Sequence, residues 1–81
     1  MNTVSTIRHF VAERLQVPDE QISVEEDLRK LGLDSIHALQ IVLDVEQRYD
    51  IEIDDHIVFE AQNVRDFAVQ VDELIAAQVA S

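Results

Sequence analysis

Apolar residues recur along this chain with the period of a helix, and no segment shows the strict alternation of a half-buried strand. Val4, Ile7, Val11 and Leu15, with Phe10 beside them, predict a first helix over about Thr3 to Gln16. Val17-Pro18-Asp19 ends it, because Pro18 disfavours the helical conformation at Val17. A long connection follows from Pro18 to Asp34. Ile22, Val24, Leu28 and Leu31 anchor it, so it should pack on the helices as a structured loop. Within it, Ser23-x-x-Glu26 has capping-box spacing and predicts a short turn.

The second helix, about Ser35 to Asp50, carries two apolar stripes. Ala38, Ile41, Val42, Val45 and Tyr49 form a complete core-facing stripe. Ile36, Leu39 and Leu43 form another, roughly 120° round the helix at about 100° per residue. Ser35 and Glu46 fall at the edge of this second stripe, Gln40 and Gln47 on its other side, and His37, Asp44 and Arg48 on the remaining face. The second stripe either packs on the long loop or stays exposed as a docking strip beside Ser35. A short helix over about His56 to Gln62 follows, with Ile57, Val58 and Phe59 as an apolar cluster. Asn63 is placed to cap the last helix, with Asp66 in its first turn. Val64, Phe67, Ala68, Val71, Leu74 and Ile75 are its core stripe, from residue 64 to about Gln78. The chain therefore reads as all-α, with helices over about 3–16, 35–50, 56–62 and 64–78 in a single domain of residues 1–81.

Composition narrows the classes of function. Hydrophobic residues make up 47% of 81 residues, enough for one modest core. The absence of cysteine removes disulfides and thiolate metal sites. No segment has the length of a membrane span and the N-terminus lacks signal-peptide regions, so a cytoplasmic protein without membrane insertion is expected. Met1 and the lack of a linker-like end suggest a free-standing, monomeric domain. A net charge of −11 argues against nucleic acid and for steering toward basic protein surfaces.

The stretch Leu31-Gly32-Leu33-Asp34-Ser35-Ile36 holds the only glycine. Gly32 permits a tight turn, Asp34 is an N-cap candidate, and Ser35 falls at a helix N-terminus, where free N–H groups and the dipole favour a phosphate. A serine nucleophile would need a base within reach, but His37 lies about 200° round the helix and points away. His9 and His56 carry no recognisable spacing. Glu25-Glu26-Asp27 and Asp54-Asp55 lack the ligand alternation and central glycine of a calcium loop, and there is no zinc spacing, phosphate-cradling glycine loop or dinucleotide fingerprint. The residues thus offer no catalytic set and no metal site. They describe a protein acted upon at Ser35 rather than an enzyme.

Asp27-Leu28, Leu31-Gly32-Leu33-Asp34-Ser35-Ile36, Ala38-Leu39-Gln40-Ile41-Val42 and Glu46-Gln47-Arg48-Tyr49 together resemble the acyl carrier proteins, in their discrete form. Ile36 stands where the familiar Gly-x-Asp-Ser-Leu motif has leucine. The resemblance implies a four-helix bundle with a short third helix, and a 4′-phosphopantetheine arm on Ser35 that a separate transferase installs from coenzyme A with magnesium. It implies that the arm's thiol holds an acyl or aminoacyl group as a thioester. Asp34 would serve as cap and as a contact for the transferase or its magnesium. The implied partners are that phosphopantetheinyl transferase, an acyl-activating or ligase enzyme, and a synthase or acyltransferase. Ile36, Leu39, Gln40, Leu43, Glu46, Gln47 and Ile57 are the candidate partner face. Where fatty-acid carriers usually place acids along the second helix, this chain has His37, Gln40 and Gln47, while Asp44 and Glu46 keep some charge. Asp54 replaces a usual proline, and His56-Ile57-Val58-Phe59 is more apolar than the common acidic version. These departures suggest a specialised carrier for a polyketide, nonribosomal-peptide or modified-lipid pathway. The alternatives are a D-alanyl or peptidyl carrier with different cargo, and an unmodified acidic helical adaptor for a basic partner.

Overall fold

A computed structural model describes residues 2–80; Met1, on which the free-standing expectation drew, and Ser81 lie outside the described residues. Four helices follow in order: α1 (Thr3–Leu15), α2 (Ser35–Tyr49), α3 (Asp55–Glu60) and α4 (Val64–Ala80), with a 3-10 turn at Asp19–Gln21. There is no strand among the described residues, and the architecture is the all-α bundle with a short third helix that the periodicity predicts.

The core forms where the helical stripes converge. Ile7, Val11 and Ala12 of α1, Ile41, Val42 and Val45 of α2, Val58 of α3, and Val64, Phe67, Ala68 and Val71 of α4 are buried together. Ile22, Ile51, Ile53 and Ala61 join them from the connections. Removing these side chains from water is the main drive for folding, at about 1.5–3 kcal/mol for each fully buried large aliphatic or aromatic. No described helix is long and apolar enough to cross a membrane.

The helix ends differ from the expectation in instructive ways. Asn2 caps α1, its Oδ1 accepting from Ser5 N–H at 2.8 Å. α1 stops at Leu15, before the proline. Gln16 takes the left-handed conformation (φ 59°), and Val17 N–H donates back to the Ala12 carbonyl at 3.0 Å. The same left-handed closure ends α2 at Asp50 (φ 54°), where Ile51 N–H reaches the Glu46 carbonyl at 3.2 Å. α3 begins at Asp55 and ends at Glu60, two residues short of Gln62. The chain must extend there, because Ala61 is buried and the Gln62 carbonyl accepts from Leu28 N–H at 2.9 Å. Asn63 does cap α4: its Oδ1 accepts from Asp66 N–H at 2.8 Å, and Asp66 Oδ2 accepts from Gln62 N–H at 3.3 Å.

The long connection between α1 and α2 is structured. Arg8 Nε donates to the Ile22 carbonyl (2.9 Å), and Arg65 N–H to the Val24 carbonyl (3.1 Å). Together with the Leu28–Gln62 bond these fasten the loop to α1 and to the α3–α4 junction. Ser23 forms a turn without the reciprocal capping box: its Oγ accepts from Glu25 N–H at 3.4 Å, while Glu26 N–H bonds the Ser23 carbonyl at 3.3 Å. The last segment, Leu28 to Leu33, is one helical turn closed by Gly32 at φ +99°. Gly32 N–H donates to the Arg29 carbonyl (3.2 Å) and Leu33 N–H to the Leu28 carbonyl (3.3 Å). This is the Schellman pattern, with glycine at the position that demands positive φ.

Candidate functional site

The turn at Gly32 delivers Leu33, Asp34 and Ser35 to the start of α2. Asp34 has extended backbone (φ −93°, ψ −179°), and its Oδ1 accepts from His37 N–H at 2.8 Å. This is an N-cap, worth about 1 kcal/mol. Ala38 N–H makes the first intrahelical bond, to the Asp34 carbonyl at 3.0 Å. The N–H groups of Ser35 and Ile36 precede that bond at the positive end of the helix dipole, a setting that suits an anion. Ser35 is exposed. His37 Nδ1 lies 3.4 Å from Asp34 Oδ1, enclosed and without a hydrogen-bond partner among the described residues.

Ser35 opens on an apolar groove of about 310 Å³. Leu28 and Leu33 of the loop form one wall, Ala38 of α2 the floor beside Ser35, and Val58, Phe59 and Ala61 the wall at α3, with Arg29 at the margin. The predicted α3 cluster is therefore split three ways. Val58 is core, Ile57 is half-buried, and Phe59 is 48% exposed and faces the groove. Ile57 lines a different cavity, between α3 and α4, with His56, Glu60 and Val69. So Phe59 rather than Ile57 is the α3 residue of that cluster which, with Val58, shares a space with Ser35. The sequence reasoning missed Phe59 because a six-residue helix is too short for periodicity to orient its faces.

The two stripes of α2 are resolved by the fold. Ile41, Val42 and Val45 are buried, with Ala38 and Tyr49 packed partly against the core. Ile36, Leu39 and Leu43 stay in solvent at 66%, 37% and 56% exposure, so the loop does not cover them. Gln40 is half-buried and Gln47 exposed. The acids of α2 have structural partners. Asp44 receives Arg14 bidentately, with Nη2–Oδ1 at 2.8 Å and Nε–Oδ2 at 3.1 Å, tying α1 to α2. Those hydrogen bonds raise the Arg14 guanidinium above its ordinary value; desolvation opposes them and the charges of Asp44 and Glu13 assist. Glu46 Oε2 accepts from the Ile53 N–H at 2.8 Å and holds the α2–α3 connection.

Comparison with known proteins points the same way. Residues 5–70 match the family described as phosphopantetheine attachment site. An acyl carrier protein of Phytoplasma mali is 34% identical over 61 residues, covering 74% of this chain and 73% of that protein. Acyl carrier protein 3 of Ralstonia nicotianae is 31% identical over 73 residues, covering 89% and 84%. The crystal structure of a free-standing peptidyl carrier protein from an Acinetobacter baumannii secondary metabolic pathway superposes with a TM-score of 0.80 at 29% identity, over 88% of this chain and 90% of that one.

Proposed function

Because the chain belongs to the phosphopantetheine-attachment family of acyl carrier proteins, we propose that Ser35 is the residue that bears its 4′-phosphopantetheine. The matched segment contains three serines, Ser5, Ser23 and Ser35. The observation that supports Ser35 is its setting: exposed, first in α2, next to the capping Asp34, and on the rim of an apolar groove. Ser5 lies half-buried in α1, and Ser23 lies in the loop with its Oγ engaged by Glu25 N–H. The residues fit the group: Ser35 Oγ would form the phosphodiester, and the Ser35 and Ile36 N–H groups, at the dipole's positive end, would favour its negative charge. The bound group supplies a terminal thiol that holds acyl cargo as a thioester, an activated donor on a long arm.

What the chain itself does is position and present. Asp34 and the Gly32 turn orient Ser35 outward, away from the packed core. No protein thiol competes for the cargo, since the chain has no cysteine. We read it as a single non-enzymatic carrier domain working in the cytoplasm with a phosphopantetheinyl transferase, a cargo-activating or ligase enzyme and a synthase or acyltransferase. Its likeness to a peptidyl carrier of secondary metabolism, together with His37, Gln40 and Gln47 along α2, supports a dedicated biosynthetic pathway with acyl or aminoacyl cargo. The test is intact mass after incubation with coenzyme A, magnesium and a broad-specificity transferase. One phosphopantetheine mass is expected on the wild type and none on Ser35→Ala. Folded wild type that gains no mass beside a working control carrier refutes the assignment. Near-normal turnover by housekeeping fatty-acid enzymes would refute the dedicated pathway.

A further inference from the structure

Among the described residues, His37 Nδ1 is the buried side-chain polar atom left without a hydrogen-bond partner. Leaving such an atom unserved costs free energy, so its surroundings call for a physical account. The atom is closed off from bulk water although the side chain as a whole is 36% exposed. Asp34 Oδ1 lies 3.4 Å from it, one helical turn back. That same oxygen accepts from the His37 backbone N–H at 2.8 Å. Both contacts converge on one carboxylate oxygen, and Asp34 Oδ2 has no hydrogen-bond partner among the described residues.

A neutral imidazole carries one proton, and its other ring nitrogen offers a lone pair; an ionised carboxylate only accepts. A lone pair on Nδ1 would therefore oppose the lone pairs of Oδ1 and leave the nitrogen unserved. A proton on Nδ1 turns the same contact into an attraction and leaves the lone pair to Nε2. We propose that His37 is a positioning residue for the modification of Ser35: its ring holds the Nδ1–H tautomer, aims that proton at Asp34 Oδ1, and so steadies the capping carboxylate from a second side. At 3.4 Å the contact is longer than a well-formed N–H···O bond, so it steers the carboxylate rather than clamping it. It opposes the side-chain rotation of Asp34 that would release the cap, and with the cap held the first turn of α2 keeps Ser35 Oγ in one orientation. Orientation matters because a small misplacement of a reacting group costs rate. His37 lies about 200° round the helix from Ser35, so it acts through Asp34 and not on the serine. The inference rests on the carrier reading of Ser35.

Long-range proton–nitrogen NMR on the full unmodified chain, at about pH 9 and so above the ordinary histidine range, reads the tautomer directly. His37 is expected to carry its proton on Nδ1, and the exposed His56 supplies the reference. Loading by coenzyme A, magnesium and a broad-specificity phosphopantetheinyl transferase, followed by intact mass, reads the consequence. His37→Asn sets an amide N–H near the place of Nδ1, whereas His37→Gln sets it near the place of Nε2. The asparagine variant should keep kcat/KM within about twofold of wild type and the glutamine variant should lose about three- to tenfold, the factor that one ordinary hydrogen bond supplies. A merely structural role predicts the reverse order, because glutamine is the better helix former. In an Asp34→Ala background the two variants should load alike, since His37 works through that carboxylate. A wild-type Nδ1 without a proton, a glutamine variant that loads as fast as the asparagine one, or a difference that survives in Asp34→Ala would each overturn the proposal. Failure of the carrier reading is distinguishable: wild type would then gain no mass beside a working control carrier, while the tautomer would still decide the contact between Asp34 and His37.

Discussion

Replacing Gly32 by alanine isolates the backbone turn that brings Ser35 to the start of α2. Gly32 has φ +99°, and a Cβ built there meets no atom within 4 Å. The cost is therefore conformational and not steric crowding by neighbours. An L-residue held in the left-handed region costs about 1–2 kcal/mol. Alanine also stiffens the unfolded chain, which returns about 0.4–1 kcal/mol. The net expectation for Gly32→Ala is a loss of about 1 kcal/mol from a domain whose whole stability is about 4–12 kcal/mol. D-Alanine at the same position keeps the unfolded-chain term and relieves the strain, so it should stabilise by about 0.4–1 kcal/mol. Chemical synthesis supplies both proteins, and urea unfolding followed by circular dichroism measures them. With a slope near 1 kcal/mol per molar urea, the enantiomers should separate by about 1–2 M in midpoint, on opposite sides of wild type. Equal destabilisation by both would show that space and not φ limits the turn, and the reasoning would be wrong.

The converse holds where the same closure uses ordinary residues: Gln16→Gly, at φ 59°, should be neutral or stabilise by up to about 1 kcal/mol in the same unfolding assay. Asp34→Ala removes the cap on His37 N–H and should cost about 1 kcal/mol, read as a lower thermal midpoint. Glu46→Ala strands the Ile53 N–H and should cost about 1–3 kcal/mol, with faster amide exchange at Ile53 reporting the site. Phe67→Ala empties the centre of the core and should cost about 3–5 kcal/mol, so that urea unfolds it at a far lower concentration. The raised Arg14 value means that its share of the Asp44 pair is present below the ordinary arginine range and fades only in strong alkali. Arg14 should therefore contribute no slope to stability between neutral pH and pH 9, which a pH series of unfolding curves checks.

Helix number, the core stripes and the candidate modification site were legible along the chain because each is a local property. A period of 3.6 residues reports which positions share a face, and the runs at Val4 to Leu15, Ala38 to Tyr49 and Val64 to Ile75 are long enough to report it well. Asp34 and Asn63 announce helix starts because a cap needs only the residues of the next turn. Gly32, Asp34 and Ser35 could be singled out as a turn, a cap and a serine at a helix N-terminus without knowing what they face.

Other features depend on neighbours that periodicity does not name. The sequence alone established that α2 has two apolar stripes; only the packing of α1, α3 and α4 decided that Val42 and Val45 are buried while Leu39 and Leu43 meet solvent. Asp44 and Glu46 read along the chain as charges kept on the second helix; only the fold shows that Arg14, thirty residues earlier, and the backbone of Ile53 bond to them. Phe59 joined Ser35 across the groove, and Ile57 turned to α4, because a short helix is oriented by what it packs against and not by its own pattern. Local bonding marks where Ser35 sits and how it is capped. The surface a partner meets there is set by which long-range contacts consume the surrounding charges and apolar side chains.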